Sequence, residues 1–133
     1  MASIFTKIIL GEIPSYKIAE DANYYAFLDI HPLAEGHTLV VPKKEVDYFF
    51  NLDDQTLSEM IVFAKKVAIA MEMVIPCKRI GVAVLGLEVP HAHIHLVPIN
   101  GGFDIEFSRP KLKLTPEEFK VIANKITVAY STL

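Results

Sequence analysis

Residues 90–98 read Pro90-His91-Ala92-His93-Ile94-His95-Leu96-Val97-Pro98. Three of the chain's five histidines stand here, two residues apart. A period of two is the period of a β-strand, so His91, His93 and His95 should share one face. Ala92, Ile94 and Leu96 should share the other and be buried. A strand that gives one face to imidazoles withholds it from an ordinary core. Neutral imidazole suits nucleophilic and proton-transfer work near pH 7.

A metal site is the rival reading of this stretch. Zinc accepts imidazole nitrogen, and two histidines at i and i+2 can share an ion. The third is harder to place. At about 3.3 Å per residue, the Cα atoms of His91 and His95 lie about 13 Å apart on a flat strand. A zinc–nitrogen bond is only about 2 Å long. A phosphate ester with its leaving group is larger than an ion, and different histidines could touch different atoms of it.

Outward from this stretch, the chain alternates strand and helix patterns. Residues 3–10 carry Ile4, Phe5, Ile8 and Ile9 at helical spacing, with Ser3 as cap and Gly11 as stop. Residues 16–20 and 24–30 read as two strands joined at Asp21-Ala22-Asn23. His31-Pro32 breaks the second, and 37–41 is a β-branched run stopped by Pro42. Asp53 or Asp54 caps a long helix to Ile75. Its stripe is Leu57, Met60, Ile61, Ala64, Val67, Ala68, Met71, Val74 and Ile75. Residues 79–85 and 91–99 complete the strands. Thr115-Pro116-Glu117-Glu118 opens a last helix with a capping box, and Phe119, Ile122, Ile126, Ala129 and Tyr130 form its buried stripe. Strands in runs with segregated helices predict an α+β domain: an antiparallel sheet of about five strands, one long central helix and a C-terminal helix.

Composition narrows the setting. With 133 residues, one domain over 1–133 is expected. Hydrophobic residues are 52% of the chain and mean hydropathy is +0.35, enough excess to imply a subunit interface. A net charge of −3 argues against a nucleic-acid-coating surface. No apolar run approaches the roughly 20 residues of a membrane span. Cys77 is the single cysteine, so no internal disulfide forms. It reads as a small buried hydrophobe in a reducing, cytoplasmic protein.

The segment His91-Ala92-His93-Ile94-His95-Leu96-Val97 resembles the signature of the histidine triad (HIT) family, three histidines alternating with apolar residues. Two more blocks agree. Ile4-Phe5-Thr6-Lys7-Ile8-Ile9-Leu10-Gly11-Glu12-Ile13-Pro14 is similar to the family's N-terminal segment. Residues 26–32 with 36–43, from Ala26-Phe27-Leu28-Asp29-Ile30 to Val41-Pro42-Lys43, are similar to its nucleotide-binding hairpin. The resemblance implies a homodimeric hydrolase acting on purine nucleoside phosphoramidates or related nucleotidyl conjugates. His93 would attack the α-phosphorus, and His95 would hold phosphate oxygens and help move the proton. His91 and His37 would orient the site. Phe5, Ile13, Phe27 and Ile30 would sandwich the base, with Leu28 beside them, and Asp29 would bind the ribose hydroxyls. His31 matches no functional position and reads as a loop residue.

Before the triad the chain departs from the family pattern. Leu87 stands where glutamine is usual, and Glu88, counted with the nucleotide-binding residues, where serine or threonine is usual. Two other activities therefore stay open: cleavage of dinucleoside polyphosphates or nucleotide transfer, and nucleotide binding with little turnover. No cofactor is implied. Several bacterial relatives hold a structural zinc through two cysteines and a histidine. The matching positions here are Ser3, Thr6 and Glu45, so no metal is expected.

Overall fold

The computed structural model describes residues 2–133. The elements run α1 (Ile4–Ile9), β1 (Lys17–Glu20), β2 (Tyr24–Leu28), β3 (Thr38–Pro42), α2 (Asp54–Val74), β4 (Arg79–Ala83), β5 (Ile94–Ile99) and α3 (Pro116–Ser131). Short 3₁₀ turns lie at Phe49–Asn51 and Gly102–Ile105. The five strands form one antiparallel sheet in the order β1-β2-β3-β5-β4. The expected α+β architecture is present, with its helix starts made by the expected groups. Ser3 accepts from Thr6 N–H, Asp53 from Thr56 N–H, and Thr115 and Glu118 close a reciprocal box.

The sheet is buried on both faces at its centre, and the period of two sorts the residues. Tyr24, Ala26 and Leu28 of β2, Val40 of β3, and Ile94 and Leu96 of β5 pack under α2 and α3 in the larger core. Tyr25, Phe27, Leu39 and Val41 point the other way and pack with Phe5 of α1. Cross-strand pairing then carries that second face to the triad: Phe27 lies opposite Leu39, and Leu39 opposite His95. His95 is thus on the face that α1 covers only in part, and the uncovered remainder is the cleft.

Three expectations need correction. The last strand begins at Ile94, so His91 and His93 precede the ladder. Continuing the register would set Ala92 opposite Pro42, which has no N–H to give. The Ala92 N–H turns instead to Val46 O at 2.7 Å. The alternation survives, with Ala92 in the core and His93 on the cleft side. In α2, Phe63 and Ala70 are buried although the apolar stripe omitted them, while Ile61 is 48% exposed. Cys77 is only half-buried. Among the described residues no helix is long and apolar enough to cross a membrane.

Candidate active site

A cleft of about 450 Å³ opens between α1, the ends of β2 and β3, and the loop before β5. Phe5, Ile13, Phe27, Asp29, Ile30, His37, Glu88, His93 and His95 all line it, so the fold brings together residues far apart in sequence. His91 does not line it. Its ring is fully buried behind His93. Leu28 borders the cleft, but its side chain belongs to the core under α2, so it can offer only main chain there. His31 lines the rim, though its sequence position suggested only a loop.

Phe107 and Lys111 also line the cleft and were not foreseen. The Phe107 ring stands edge-on to His95, centroids 4.6 Å apart. The segment that carries them has no periodicity. What returns it to the site is one main-chain bond, Leu112 N–H to Pro32 O at 2.8 Å, which no sequence pattern announces.

Fixed backbone groups determine the tautomers of His91, His93 and His37, and through His37 that of His95, because an N–H can only donate and a carbonyl can only accept. His91 Nε2 lies 2.8 Å from Pro42 O and so carries the hydrogen. Its Nδ1 then accepts from Ser3 Oγ–H at 2.7 Å. His93 Nδ1 lies 2.7 Å from the His91 carbonyl and so carries the hydrogen, leaving the Nε2 lone pair free. Leu33 N–H donates to His37 Nδ1 at 3.0 Å, so His37 Nε2 carries the hydrogen. That hydrogen lies 3.0 Å, donor to acceptor, from His95 Nδ1, with Asp29 Oδ2 3.6 Å away. His95 is therefore an acceptor at Nδ1 and a donor at Nε2. Neither His93 Nε2 nor His95 Nε2 has a protein partner, and among the described residues no buried side-chain nitrogen or oxygen is unsatisfied. These two edges therefore face the cleft: a lone pair on His93 beside an N–H on His95, with ring centroids 4.9 Å apart.

Burial holds His37, His93 and His95 neutral. Desolvation lowers the pKa of His37 and of His93 below the ordinary histidine value. His95 is brought down to about 3, by burial first and then by charge on His93 and His37. The unfolded chain therefore takes up protons below about pH 6.5 that the folded site refuses. Stability is fully present well above pH 6.5 and falls as pH drops toward the folded values, with a slope that approaches about 1.4 kcal/mol per pH unit for His95. Thermal melts from pH 7.5 down to 5 should show this decline. An equal melting temperature across that range would contradict it.

Two groups of side chains could hold a metal. Asp29, His37 and His95 offer ligand atoms all within 4.8 Å of one another. Yet His37 would have to bind through Nε2, the nitrogen that carries its hydrogen. Moving that hydrogen to Nδ1 would set it against Leu33 N–H. The set fits a hydrogen-bonded relay from His37 to His95 better than an ion. Ser3, Thr6 and Glu45, at the positions of the relatives' zinc ligands, surround His91 Nδ1. Ser3 N–H and Thr6 Oγ1–H both donate to Glu45 Oε1 at 2.6 Å. Donors on a tetrahedral zinc lie about 3.3 Å apart, from bonds of about 2 Å, and neutral hydroxyls are poor zinc ligands. This cluster satisfies itself. Dialysis against EDTA should therefore leave melting temperature and any turnover unchanged. Loss of both, restored by zinc alone, would refute this.

Residues 10–101 match the model of the HIT domain family. A HIT-like protein of Borreliella burgdorferi is 37% identical over 94% of this chain and 96% of its own length. The adenosine 5'-monophosphoramidase of Schizosaccharomyces pombe is 35% identical over 96% of this chain and 97% of its own. The crystal structure of a Hit-like protein from Bartonella henselae superposes with a TM-score of 0.83 and 35% identity, covering 96% of this chain and 95% of that one. Fold, triad and these likenesses agree: the chain belongs to the HIT family.

Proposed function

We propose that this protein is a nucleotide-binding hydrolase that cleaves purine nucleoside phosphoramidates or related nucleotidyl conjugates through a covalent nucleotidyl-histidine. The observation that carries the reading is the His93 ring. Its Nδ1–H is held by the His91 carbonyl at 2.7 Å and its Nε2 lone pair faces the cleft. The phosphoramidase of fission yeast, similar over nearly the whole chain, supports the substrate class.

In the first step His93 Nε2 bonds to the α-phosphorus and the phosphorus–nitrogen bond breaks. The amine leaves with its electron pair and takes up one proton, which enters from solvent and is passed on by His95. His95 Nε2–H also donates to a phosphoryl oxygen. The His93 adduct is cationic, and the His91 carbonyl stabilises it through the bond already made to Nδ1–H. In the second step water attacks phosphorus, the His93 bond breaks, and a proton returns to solvent. Splitting one displacement into two lowers the barrier that water alone would face. Phe5, Ile13, Phe27 and Ile30 supply apolar walls for the base. Asp29 Oδ2 is available to ribose hydroxyls, its Oδ1 already accepting His31 N–H at 2.8 Å. Glu88 lines the same cleft.

A second reading rests on one observation. Leu87, at the position where relatives use glutamine, is 88% exposed and brings no polar group to the leaving-group side. That favours nucleotide binding with little turnover. Assay of an adenosine phosphoramidate beside diadenosine polyphosphates separates the possibilities. Turnover of the phosphoramidate supports the proposal, preference for the polyphosphates points to the other hydrolase class, and AMP binding without turnover supports the second reading.

The proposal includes a single domain over 1–133 working as a homodimer in a reducing, cytoplasmic setting. Ile61, Val62, Ile69 and Met73 leave an apolar strip of α2 exposed, which a second copy would cover. Sedimentation at micromolar concentration should give about twice 14.9 kDa. A species of monomer mass would refute the dimer.

A further inference from the structure

The N-terminal helix cap does a second task in this structure. Ser3 Oγ accepts Thr6 N–H at 3.1 Å, which is its duty to α1. The same hydroxyl's hydrogen goes to His91 Nδ1 at 2.7 Å. Ser3 is itself buried, at 7% exposure, and its N–H is clamped by Glu45 Oε1 at 2.6 Å. Thr6 Oγ1–H reaches that same carboxylate oxygen. Those two bonds hold the Glu45 carboxyl down to about 2, so it stays an acceptor throughout the neutral range. The consequence is a continuous chain of bonds. Glu45 fixes the Ser3 backbone, and Ser3 fixes one nitrogen of His91 while Pro42 O fixes the other. The carbonyl of that same His91 holds the Nδ1–H of His93.

We propose that Ser3 is a positioning residue for the reaction: its hydroxyl donates to Nδ1 of the Nε2–H tautomer that Pro42 O sets, and the His91 ring, held at both nitrogens, steadies the carbonyl that aims the His93 nucleophile. The inference rests on the hydrolase reading for its catalytic consequence but not for its structural content. Without the Ser3 donor, Pro42 O still favours hydrogen at His91 Nε2, but nothing holds the ring at Nδ1. The ring is then fixed at one nitrogen only, and the carbonyl that orients His93 loses part of its support. A small misplacement of a reacting group is enough to cost on the order of 100-fold in rate.

Capping and donating can be separated. Ser3→Asp keeps an acceptor for Thr6 N–H but has no proton to give His91. Ser3→Ala loses both, and Ser3→Thr keeps both. Two-bond ¹H–¹⁵N spectra of the free protein read the histidine tautomers directly, and turnover of an adenosine phosphoramidate with AMP binding reads the consequence. Wild type and Ser3→Thr should show His91 with hydrogen on Nε2 and His93 with hydrogen on Nδ1. Ser3→Asp, whose carboxylate accepts, should draw hydrogen onto His91 Nδ1; Ser3→Ala should keep hydrogen on Nε2 against Pro42 O while leaving Nδ1 without its donor; both should lose at least about tenfold in kcat. Their AMP affinity should change by less than about threefold, since base and ribose contacts lie elsewhere. Full kcat in Ser3→Asp would reduce Ser3 to a cap and overturn the proposal, as would a wild-type His91 with hydrogen on Nδ1. Wild-type tautomers as expected, without turnover of any nucleotide conjugate, would sink the hydrolase reading and leave the positioning of His91 standing.

Discussion

His93→Ala should abolish turnover and leave AMP binding nearly intact. The ring supplies the only lone pair that faces the cleft from the triad, because His95 shows its N–H there and His91 is buried behind. Removing the attacking atom leaves water without the two-step route, and the expected loss is roughly three or more orders of magnitude in kcat. Binding should survive because Phe5 and Phe27, with ring centroids 5.5 Å apart, and Asp29 keep their places without it. The Phe5 ring does touch His93 edge-on at 4.9 Å, so a modest change in affinity is expected. Steady-state assay and calorimetric titration with AMP check the pair. Near-normal turnover, with contaminating hydrolases excluded, would end the nucleophile assignment.

Gly36→Ala should destabilise the protein measurably through one methyl group. Gly36 has φ +90°, a left-handed conformation that costs an L-residue about 1–2 kcal/mol. A Cβ there would also meet Ile75 Cδ1 at 2.1 Å, the end of a half-buried side chain that can swing aside at a cost of about 1 kcal/mol or less. The sum is a loss of about 1–3 kcal/mol. For a chain of this size that lowers the melting temperature by roughly 4–12 °C. The effect should reach function, since His37 follows directly and its ring must lie between Leu33 N–H and His95. A variant that melts within 2 °C of wild type, a margin well below that estimate, would show that Ile75 yields freely and that the turn tolerates a side chain.

The faces of the sheet were legible in the sequence because they follow from a period of two. Ala92, Ile94 and Leu96 lie in the core, and His93 and His95 on the opposite, cleft side, as the alternation requires. Helix starts were legible because capping is local chemistry, as at Ser3, Asp53 and Thr115. The gathering of Phe5, Asp29 and His37 around the triad came from likeness to a family, not from spacing. What stayed hidden depends on contacts between distant segments. The early end of pairing at His93 is decided by Pro42, a residue on another strand. The place of Phe107 is decided by Leu112 docking on Pro32. The burial of Phe63 and Ala70 reflects α2 lying against both the sheet and α3, so its covered surface is wider than one stripe. Ser3, Thr6 and Glu45 show both limits at once. Sequence marks them as lacking zinc ligands, and only the fold shows that they bond to one another and to His91.

The proposed double displacement at His93 is tested most directly by the stereochemical course at phosphorus. An adenosine phosphoramidothioate of known configuration at the α-phosphorus would be hydrolysed in ¹⁸O-labelled water and the configuration of the product determined. Two successive in-line displacements, the first by His93 Nε2 and the second by water, should give overall retention. Overall inversion would mean that water attacks the substrate directly, and would contradict a covalent intermediate on His93.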